Sequence, residues 1–258
     1  MTESLQDLAQ SGRPRAIVTG AASGIGAATL VELARRGYDT AALDINLPGA
    51  EASAGRAMTL GGRHVAVHTD VADEASVVVA FAAAVSFLGG LEAMATCAGV
   101  ADSTPFMDVS VATFRRMHEV NVIGTFLSMR EAARHMADGG RMCTVASVAG
   151  LRGGGLMGTA AYAASKGGVL ALTKNAARAL ADKGISVNTI APGATLTPML
   201  AEAWKNEENR RRIESMSAQK RTADPEEIAR SIAFLLSPDA SIVTGATLVA
   251  DGGLVMHY

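Results

Sequence analysis

Short apolar runs alternate with longer segments of helical hydrophobic spacing along most of the chain. The apolar runs are Ala16–Val18, Thr40–Leu43, His64–Val67, Leu91–Thr96, Met142–Ala146, Ile185–Ile190 and Ala246–Ala250. Continuous apolar runs of this length are typical of strands that are buried on both faces of a parallel sheet. The pattern therefore predicts an α/β fold, in which one doubly wound, seven-stranded parallel sheet carries helices on both faces.

Segments with helical spacing lie between these runs. They predict a helix that ends near Arg36, a second that starts at about Asp73, a long helix over Val111–Met136 and another over Ala160–Ala181. Because each helix connects two strands, we expect right-handed crossovers and strands that run in the same direction.

The stretch Leu196–Asp224 interrupts the alternation, since it is polar, charged and contains Trp204. We interpret it as a helical excursion on the substrate side and not as a separate domain. The expected organisation is one dinucleotide-binding and catalytic domain over residues 1–258, with an N-terminal extension over about residues 1–14 and a helical lid over about residues 194–224.

Composition and charge exclude several classes of protein. The chain has 258 residues, of which 49% are hydrophobic, and this supports a sizeable core and argues against disorder. The formal net charge is −2, and the dense basic run Arg210–Arg212 is flanked by Glu207, Glu208 and Glu214. Acidic neighbours are typical of a solvated helix face, so no nucleic acid partner is expected.

The sequence also favours a cytoplasmic protein. No uncharged apolar run reaches the roughly 18 residues that span a bilayer, and residues 1–15 contain no apolar signal core. Cys97 and Cys143 lie in apolar, strand-like segments, which favours buried free thiols and a reducing compartment. Neither cysteine has a ligand partner at metal-binding spacing, so we expect no metal site. Because no apolar run is long enough to span a bilayer, we also expect no membrane partner.

A glycine-rich turn, Thr19-Gly20-Ala21-Ala22-Ser23-Gly24-Ile25-Gly26, joins the first strand to the first helix. Glycine lets the backbone turn tightly and approach a ligand, and the N–H groups of a helix N-terminus attract a pyrophosphate. The spacing G-x-x-x-G-x-G differs by one residue from the common dinucleotide fingerprint, and a turn without a ligand is the alternative. The motif predicts a Rossmann-type domain with Gly20, Ser23, Gly24, Ile25 and Gly26 at the cofactor.

Asp44 follows the second predicted strand, 18 residues after Gly26. A carboxylate at this position accepts hydrogen bonds from the adenosine ribose hydroxyls and repels a 2′-phosphate. Neither Ser23 nor Ile45 supplies a cation that would hold that phosphate. The sequence therefore favours NAD(H) over NADP(H), with a simple turn-forming role for Asp44 as the alternative.

Asp70 follows the third predicted strand and precedes Val71. By topology it lies beside the same crevice, at the carboxyl ends of the strands, where its side chain could accept a hydrogen bond from the adenine amino group. The alternative is that Asp70 caps the next helix.

Tyr162 and Lys166 lie four residues apart on a predicted helix and therefore share one face. A neighbouring ammonium favours the phenolate and lowers the pKa of a tyrosine, which makes the phenol a plausible proton donor or acceptor. Such pairs also arise by chance on many helices, so the pair gains meaning only from the nucleotide end.

Several motifs occur in one order along the chain: TGAASGIG at 19–26, Asn121, Ser147, Tyr162-x-x-x-Lys166 and Pro192-Gly193. In this order they resemble the short-chain dehydrogenase/reductase family. The resemblance runs from about Arg15 to the end of the chain, where Thr244-Gly245 and Asp251-Gly252-Gly253 resemble the family's C-terminal strand.

The resemblance implies a role for each matching residue. Tyr162 would be the catalytic acid/base, and Lys166 would lower its pKa and bind the nicotinamide ribose. Ser147 would hydrogen-bond the substrate oxygen, and Asn121 would hold a water in a proton relay to Lys166. The further residues implied at the cofactor are Ile45, Val71, Cys97, Ala98, Gly99, Pro192, Gly193, Thr195 and Thr197. The implied reaction is hydride transfer between NAD(H) and an alcohol or ketone.

The sequence departs from the family pattern in two places. The fourth strand of the family often ends Asn-Asn-Ala-Gly, whereas this chain has Thr96-Cys97-Ala98-Gly99, which puts the side-chain contacts there in doubt. Ser147 and Tyr162 are 15 residues apart, slightly more than is common in the family. The surplus falls in Arg152–Gly158, and we expect a wider or more mobile substrate pocket there.

The residues that we expect to form the substrate pocket are mostly apolar: Val148, Leu151, Met157, Ala194, Leu196, Met199, Leu200 and Trp204. They favour a neutral, fairly apolar secondary alcohol or ketone, cyclic or aryl-substituted, with a polyol or sugar alcohol as the alternative. Arg152 would select a carboxylate if its side chain points inward.

Two further expectations concern assembly and class. The family commonly forms tetramers, and the Ala-rich face of Ala160–Ala181 suits close packing of helices between subunits, so a homotetramer is favoured. A protein of another class, a nucleotide sensor or scaffold that kept the fold and lost the chemistry, stays open as an alternative.

Overall fold

The computed structural model describes residues 12–154 and 159–256. Seven parallel strands form one sheet in the order β3-β2-β1-β4-β5-β6-β7. The strands are β1 (Arg15–Thr19), β2 (Asp39–Asp44), β3 (His64–His68), β4 (Ala93–Thr96), β5 (Arg141–Val145), β6 (Ser186–Pro192) and β7 (Thr247–Ala250). The predicted α/β fold with a doubly wound, seven-stranded sheet is confirmed, and each strand lies within a few residues of its predicted position.

Helices connect the strands and cover both faces of the sheet. They are α1 (Gly24–Arg35), α2 (Leu47–Met58), α3 (Glu74–Leu88), α4 (Val111–His118), α5 (Gly124–His135), α6 (Val148–Arg152), α7 (Ala160–Ala179), α8 (Ala201–Trp204), α9 (Glu207–Met216) and α10 (Pro225–Leu235). One core lies between the sheet and α1, α2 and α10, and a second lies between the sheet and α3, α5 and α7. The strands are therefore buried on both sides, which explains why they appear in the sequence as continuous apolar runs.

The predicted single helix over Val111–Met136 is interrupted, and this is a correction. A π-turn over Glu119–Ile123 separates α4 from α5. The reason is tertiary: a Cβ built at Gly124 would lie only 2.8 Å from Cγ2 of Val71, so the helix passes very close to the end of β3. The extra residue of a π-turn changes the direction in which the following side chains point.

The stretch after β6 leaves the sheet and returns to the same point. The Leu196 amide donates to the Ala223 carbonyl, and the Ala223 amide donates to the Ala194 carbonyl, both at 2.9 Å. Helices α8 and α9 lie between these closing hydrogen bonds. The predicted helical excursion is present, while its role as a lid stays a prediction. In the part of the chain that the structure describes, no helix is both long enough and apolar enough to cross a membrane.

Candidate active site

A cavity of about 440 Å³ lies at the carboxyl edge of the parallel sheet. Parallel strands all end at this edge, so the turns after β1 to β6 meet there. The cavity is lined by every residue that the sequence placed at a cofactor: Gly20, Ser23, Gly24, Ile25, Gly26, Asp44, Ile45, Asp70, Val71, Cys97, Ala98, Gly99, Tyr162, Lys166, Pro192, Gly193, Thr195 and Thr197.

The glycine turn has no room for side chains. Gly20 adopts a φ of +70°, and a Cβ built there would lie 2.4 Å from the Ala98 backbone nitrogen. A Cβ at Gly26 would lie 2.0 Å from the carbonyl oxygen of Gly20. Among the described residues, no side chain caps the N-terminus of α1, whose N-cap is Ser23. The first N–H groups of α1 are therefore free for an anion, and the turn fits a dinucleotide pyrophosphate.

Asp44 has the turn-forming role that the sequence offered as one alternative. Its Oδ2 accepts a hydrogen bond from the Ala22 amide and its Oδ1 accepts one from the Asn46 amide, both at 2.9 Å. These bonds order the turns after β1 and β2. Each carboxylate oxygen has a second lone pair, so Asp44 keeps capacity to accept hydrogen bonds from ribose hydroxyls in the cavity.

Asp70 is not the cap of the following helix. The N-cap of α3 is Asp73, whose side chain accepts a hydrogen bond from the Ala75 amide. Asp70 instead accepts a hydrogen bond from the Ala72 amide at 2.9 Å and lines the cavity next to Val71. This leaves the adenine end of a dinucleotide as its expected surroundings.

Ser147, Tyr162 and Lys166 line the same cavity. Ser147 is the N-cap of α6, and its Oγ accepts a hydrogen bond from the Ala149 amide at 3.1 Å. Helix α6 packs directly on α7, because a Cβ built at Gly150 would lie 2.7 Å from the backbone of Lys166. This close packing fixes the position of Ser147 relative to the two residues of α7.

Burial has the largest effect on the pKa values of Tyr162 and Lys166. Burial raises the pKa of Tyr162 above its usual value of 10.0, and a hydrogen bond with Ser147 opposes the rise. Burial lowers the pKa of Lys166 from 10.5 to about 8. The expectation that Lys166 lowers the pKa of Tyr162 is therefore wrong for this structure. The reason is geometric, since the ammonium donates to the Val145 carbonyl at 2.8 Å and lies 5.8 Å from the centre of the phenol ring.

Asn121 lies behind the cavity wall and not in it. Its Nδ2 donates to the Val100 carbonyl and to Ser165 Oγ, and its Oδ1 accepts from the Val100 amide, all at 2.9 Å. Gly99 separates it from the cavity, as a Cβ there would lie 3.1 Å from Asn121 Oδ1 and 3.4 Å from Lys166 Nζ. Both amide hydrogens have partners, so a relay water could bind only to an oxygen of Asn121.

The unusual end of the fourth strand keeps its backbone role. Ala98 and Gly99 line the cavity, and the Ala98 backbone lies so close to Gly20 that it leaves no room for a Cβ there. Thr96 is buried, and its hydroxyl has no hydrogen-bond partner within the described ranges. Burial raises the pKa of the Cys97 thiol to about 12, so this side chain stays protonated. Cys97 and Cys143 are both free thiols, as predicted.

The substrate side of the cavity differs in part from the prediction. Val148, Ala194, Met199 and Leu200 line it, whereas Leu151, Leu196 and Trp204 do not. The Trp204 ring lies under the Arg210 guanidinium at 5.4 Å, and Leu196 is 37% exposed outside the cavity. The remaining apolar candidate, Met157 in the long loop after Ser147, lies outside the described residues.

Sequence reasoning missed several lining residues. They are Thr69, Val100, Ala101, Arg116, Val120, Val145, Ala146, Ala149, Gly154, Pro198, Ile213, Met216, Ser217, Arg221, Asp251 and Leu254. Ile213 and Met216 carried a usable signal, because they are apolar residues three apart on the otherwise charged helix α9. Arg152, left open by the sequence, lines the cavity as well.

The fold and this cavity define a dinucleotide-binding oxidoreductase of the doubly wound class. Residues 20–255 match a family model described as "Enoyl-(Acyl carrier protein) reductase". The chain is also 40% identical, over 92% of its length and 95% of the relative, to cis-4-hydroxycyclohexanecarboxylate dehydrogenase of Sinomonas cyclohexanicum. It belongs to the short-chain dehydrogenase/reductase family, as its motifs predicted, and dehydrogenases of this family use NAD or NADP.

Two other relatives are similarly close. Cyclohexanol dehydrogenase of Acinetobacter sp. (strain SE19) is 37% identical over 92% of this chain and 93% of the relative. D-threitol dehydrogenase of Mycolicibacterium smegmatis is 38% identical over 92% of this chain and 91% of the relative. The predicted class of reaction, oxidation or reduction at a secondary alcohol or ketone, agrees with the names of these three dehydrogenases.

Proposed function

We propose that this protein is an NAD(H)-dependent dehydrogenase that interconverts a small cyclic secondary alcohol and its ketone. The observation that carries the proposal is that Ser147, Tyr162 and Lys166 line one cavity together with the glycine turn and Asp44. A phenol, a hydroxyl and an ammonium beside a dinucleotide site are the groups that alcohol oxidation requires.

In the proposed reaction, a bound NAD supplies the hydride acceptor. Tyr162 and Ser147 hold the substrate oxygen. During reduction Tyr162 donates its proton to that oxygen, and during oxidation its phenol first releases its own proton to solvent, so that the phenolate can take the hydroxyl proton. The raised pKa keeps the phenol protonated in the free protein, which suits proton donation to a ketone at neutral pH. Lys166 and Asn121 would connect the phenol to solvent through bound water.

The preference for NAD over NADP rests on Asp44. Its carboxylate lines the adenosine end of the cavity and keeps lone pairs for the ribose hydroxyls. The neighbouring Ile45 is 58% exposed and carries no charge that would hold a 2′-phosphate. A 2′-phosphate at this place would meet a carboxylate without a compensating cation from Ser23 or Ile45.

Apolar walls favour a ring over a polyol. Met199, Leu200, Met216 and Leu254 line the part of the cavity contributed by the excursion and the C-terminal loop. Two of the relatives act, by name, on alcohols of a cyclohexane ring. The threitol dehydrogenase keeps an acyclic polyol as the second candidate. Each hydroxyl of a polyol would need a polar partner that these apolar side chains do not offer.

The proposed assembly is a cytoplasmic homotetramer. Helices α4 and α5 expose apolar side chains, with Val111, Phe114 and Phe126 at 67%, 38% and 43% exposure. Contiguous apolar side chains on a surface favour burial between subunits. Sedimentation analysis would test this, and a monomer would contradict it.

The function is tested by mixing the purified protein with alcohols and NAD or NADP, and with ketones and NADH or NADPH, and following absorbance of the reduced cofactor. We expect oxidation of cyclohexanol with NAD and reduction of cyclohexanone with NADH, and little turnover with NADP or NADPH. NADH fluorescence reports binding in the same samples. Tight NADH binding without turnover across the panel would instead support a sensor, and turnover of threitol alone would support the polyol dehydrogenase.

A further inference from the structure

One strongly charged side chain of the cavity takes no part in the chemistry proposed above. Arg152 is the last residue of α6 and lines the cavity with Val148, Ala149 and Gly154. Within residues 12–154 and 159–256, its guanidinium has neither an ion pair nor a hydrogen bond. The Arg152 side chain is exposed to solvent where it lines the cavity, and an unpaired guanidinium there offers a fork of N–H donors to an incoming anion.

The two other lining arginines are accounted for differently. Arg221 makes a bidentate ion pair with Glu227, at 2.7 and 2.8 Å. Arg116, on α4, also lines the cavity. Arg152 differs from it in position, because it belongs to the short helix α6 whose N-cap is Ser147.

No carboxylate of the lining competes for Arg152. The three lining carboxylates belong to Asp44, Asp70 and Asp251. Asp44 and Asp70 lie at the turns after β2 and β3 and accept backbone N–H bonds there. The two oxygens of Asp251 accept from the Gly253 amide at 2.8 Å and the Val255 amide at 2.6 Å. The cation next to Ser147 is thus left for a ligand.

Helix α6 holds Ser147 and Arg152 at a fixed separation. Ser147 is its N-cap and Arg152 its last residue, which corresponds to a rise of about 7.5 Å along the axis. Contact between Gly150 and the Lys166 backbone anchors α6 to α7. Both residues line the cavity, so a substrate whose hydroxyl lies at Ser147 and Tyr162 would have Arg152 on the wall of the same cavity.

We infer that Arg152 is a specificity-determining residue that binds the carboxylate of a hydroxycycloalkane carboxylate substrate. This inference rests on the proposed function and takes up the carboxylate substrate that the sequence left open at Arg152. The bidentate guanidinium–carboxylate pair would offset the loss of hydration that the carboxylate suffers at the apolar walls.

The test compares cis-4-hydroxycyclohexanecarboxylate with cyclohexanol in the wild-type protein and in R152M, R152K and R178M. Arg178 is an exposed arginine of α7 outside the cavity and controls for loss of charge. We expect wild type to prefer the acid in kcat/KM. R152M should raise KM for the acid about tenfold or more relative to any change in KM for cyclohexanol, R152K should fall between, and R178M should match wild type for both substrates.

A second measurement needs no variant and no turnover of the acid. Cyclohexanecarboxylate and cyclohexanecarboxamide differ in charge but not in ring, and we expect the carboxylate to inhibit cyclohexanol oxidation at least tenfold more strongly. Equal inhibition by the two, or an unchanged KM for the acid in R152M, would overturn the inference while the proposed function stands. A wild type that binds NADH but oxidises neither alcohol would overturn the proposed function and the inference together.

Discussion

The ammonium nitrogen of Lys166 lies 5.8 Å from the centre of the Tyr162 ring, although the two residues are one helical turn apart. The ammonium is buried and directed at the Val145 carbonyl. The ammonium therefore does not lie where it would form an ion pair with a Tyr162 phenolate. Burial disfavours the charged form of each group, which keeps the phenol protonated and lowers the pKa of the ammonium to about 8.

Replacing Tyr162 with Phe removes the proposed acid/base and keeps the ring. We expect Y162F to lower kcat by about 100- to 10,000-fold and to leave NADH binding nearly unchanged, as measured by absorbance and fluorescence. The matched control is Y38F, which removes a hydroxyl that donates to the Leu236 carbonyl outside the cavity. Y162F with more than a few per cent of wild-type activity would exclude Tyr162 as the acid/base.

Replacing Lys166 with Met should abolish activity and yet stabilise the protein at pH 7. A fall in pKa from 10.5 to about 8 corresponds to a cost of about 3 kcal/mol for the charged form in the folded state. K166M removes this cost, but it also removes the hydrogen bond to the Val145 carbonyl, which reduces the gain in stability by about 1 kcal/mol.

The sign of the pH dependence follows from the same shift. Below pH 8 the buried Lys166 is charged and destabilises the fold, and between about pH 8 and 10.5 the unfolded chain binds a proton that the folded protein lacks. Stability of wild type should therefore rise relative to K166M over this range, as measured by urea unfolding at pH 7 and 9.5. Parallel pH profiles of the two proteins would show that Lys166 is not charged and buried.

Replacing Asp44 with Asn removes the charge that excludes a 2′-phosphate. We expect D44N to shift the ratio of kcat/KM for NAD over NADP by about tenfold or more towards NADP, because the repulsion is lost and one acceptor becomes a donor. The control is D73N, which alters an exposed aspartate that also accepts a backbone N–H but lies outside the cavity. An unchanged cofactor ratio in D44N would remove the argument for NAD.

Two glycines in contact offer a matched test of the α6–α7 packing. A Cβ at Gly150 would lie 2.7 Å from the Gly167 nitrogen, whereas a Cβ at Gly167 would find its nearest neighbour, the Gly150 oxygen, at 3.7 Å. We expect G150A to lose about 1–3 kcal/mol of stability and much of its activity, since the displaced α6 carries Ser147. G167A should be neutral or slightly stabilising in thermal unfolding, and equal behaviour of the two would contradict the packing argument.

The sheet and the nucleotide end were predictable because their causes are local. Strands buried on both faces must be apolar throughout, and a turn without room for a Cβ must contain glycine at Gly20 and Gly26. Their positions relative to the strand ends are then enough to place Asp44 and Asp70 at one edge of the sheet.

The protonation of Tyr162 and the direction of Trp204 depend on tertiary contacts instead. Spacing puts Lys166 on the same helix face as Tyr162, but it does not reveal that Lys166 is buried, that Tyr162 is half-buried, or that the Val145 carbonyl accepts a hydrogen bond from the ammonium. Trp204 is apolar enough for a cavity wall, yet it ends α8 and its ring packs against the Arg210 guanidinium of the next helix, α9. Such competition between partners is invisible along the chain.

Because of the π-turn over residues 119–123, α4 and α5 face different parts of the molecule. Arg116 before the turn and Val120 within it line the cavity, whereas Leu127 and Met129 after it belong to the hydrophobic core. Deleting a single residue there would restore ordinary helical winding and rotate α4 by about 100° relative to α5. The one extra residue of the π-turn thus sets the rotation of α4 relative to α5, so that α4 faces the cavity and α5 faces the hydrophobic core.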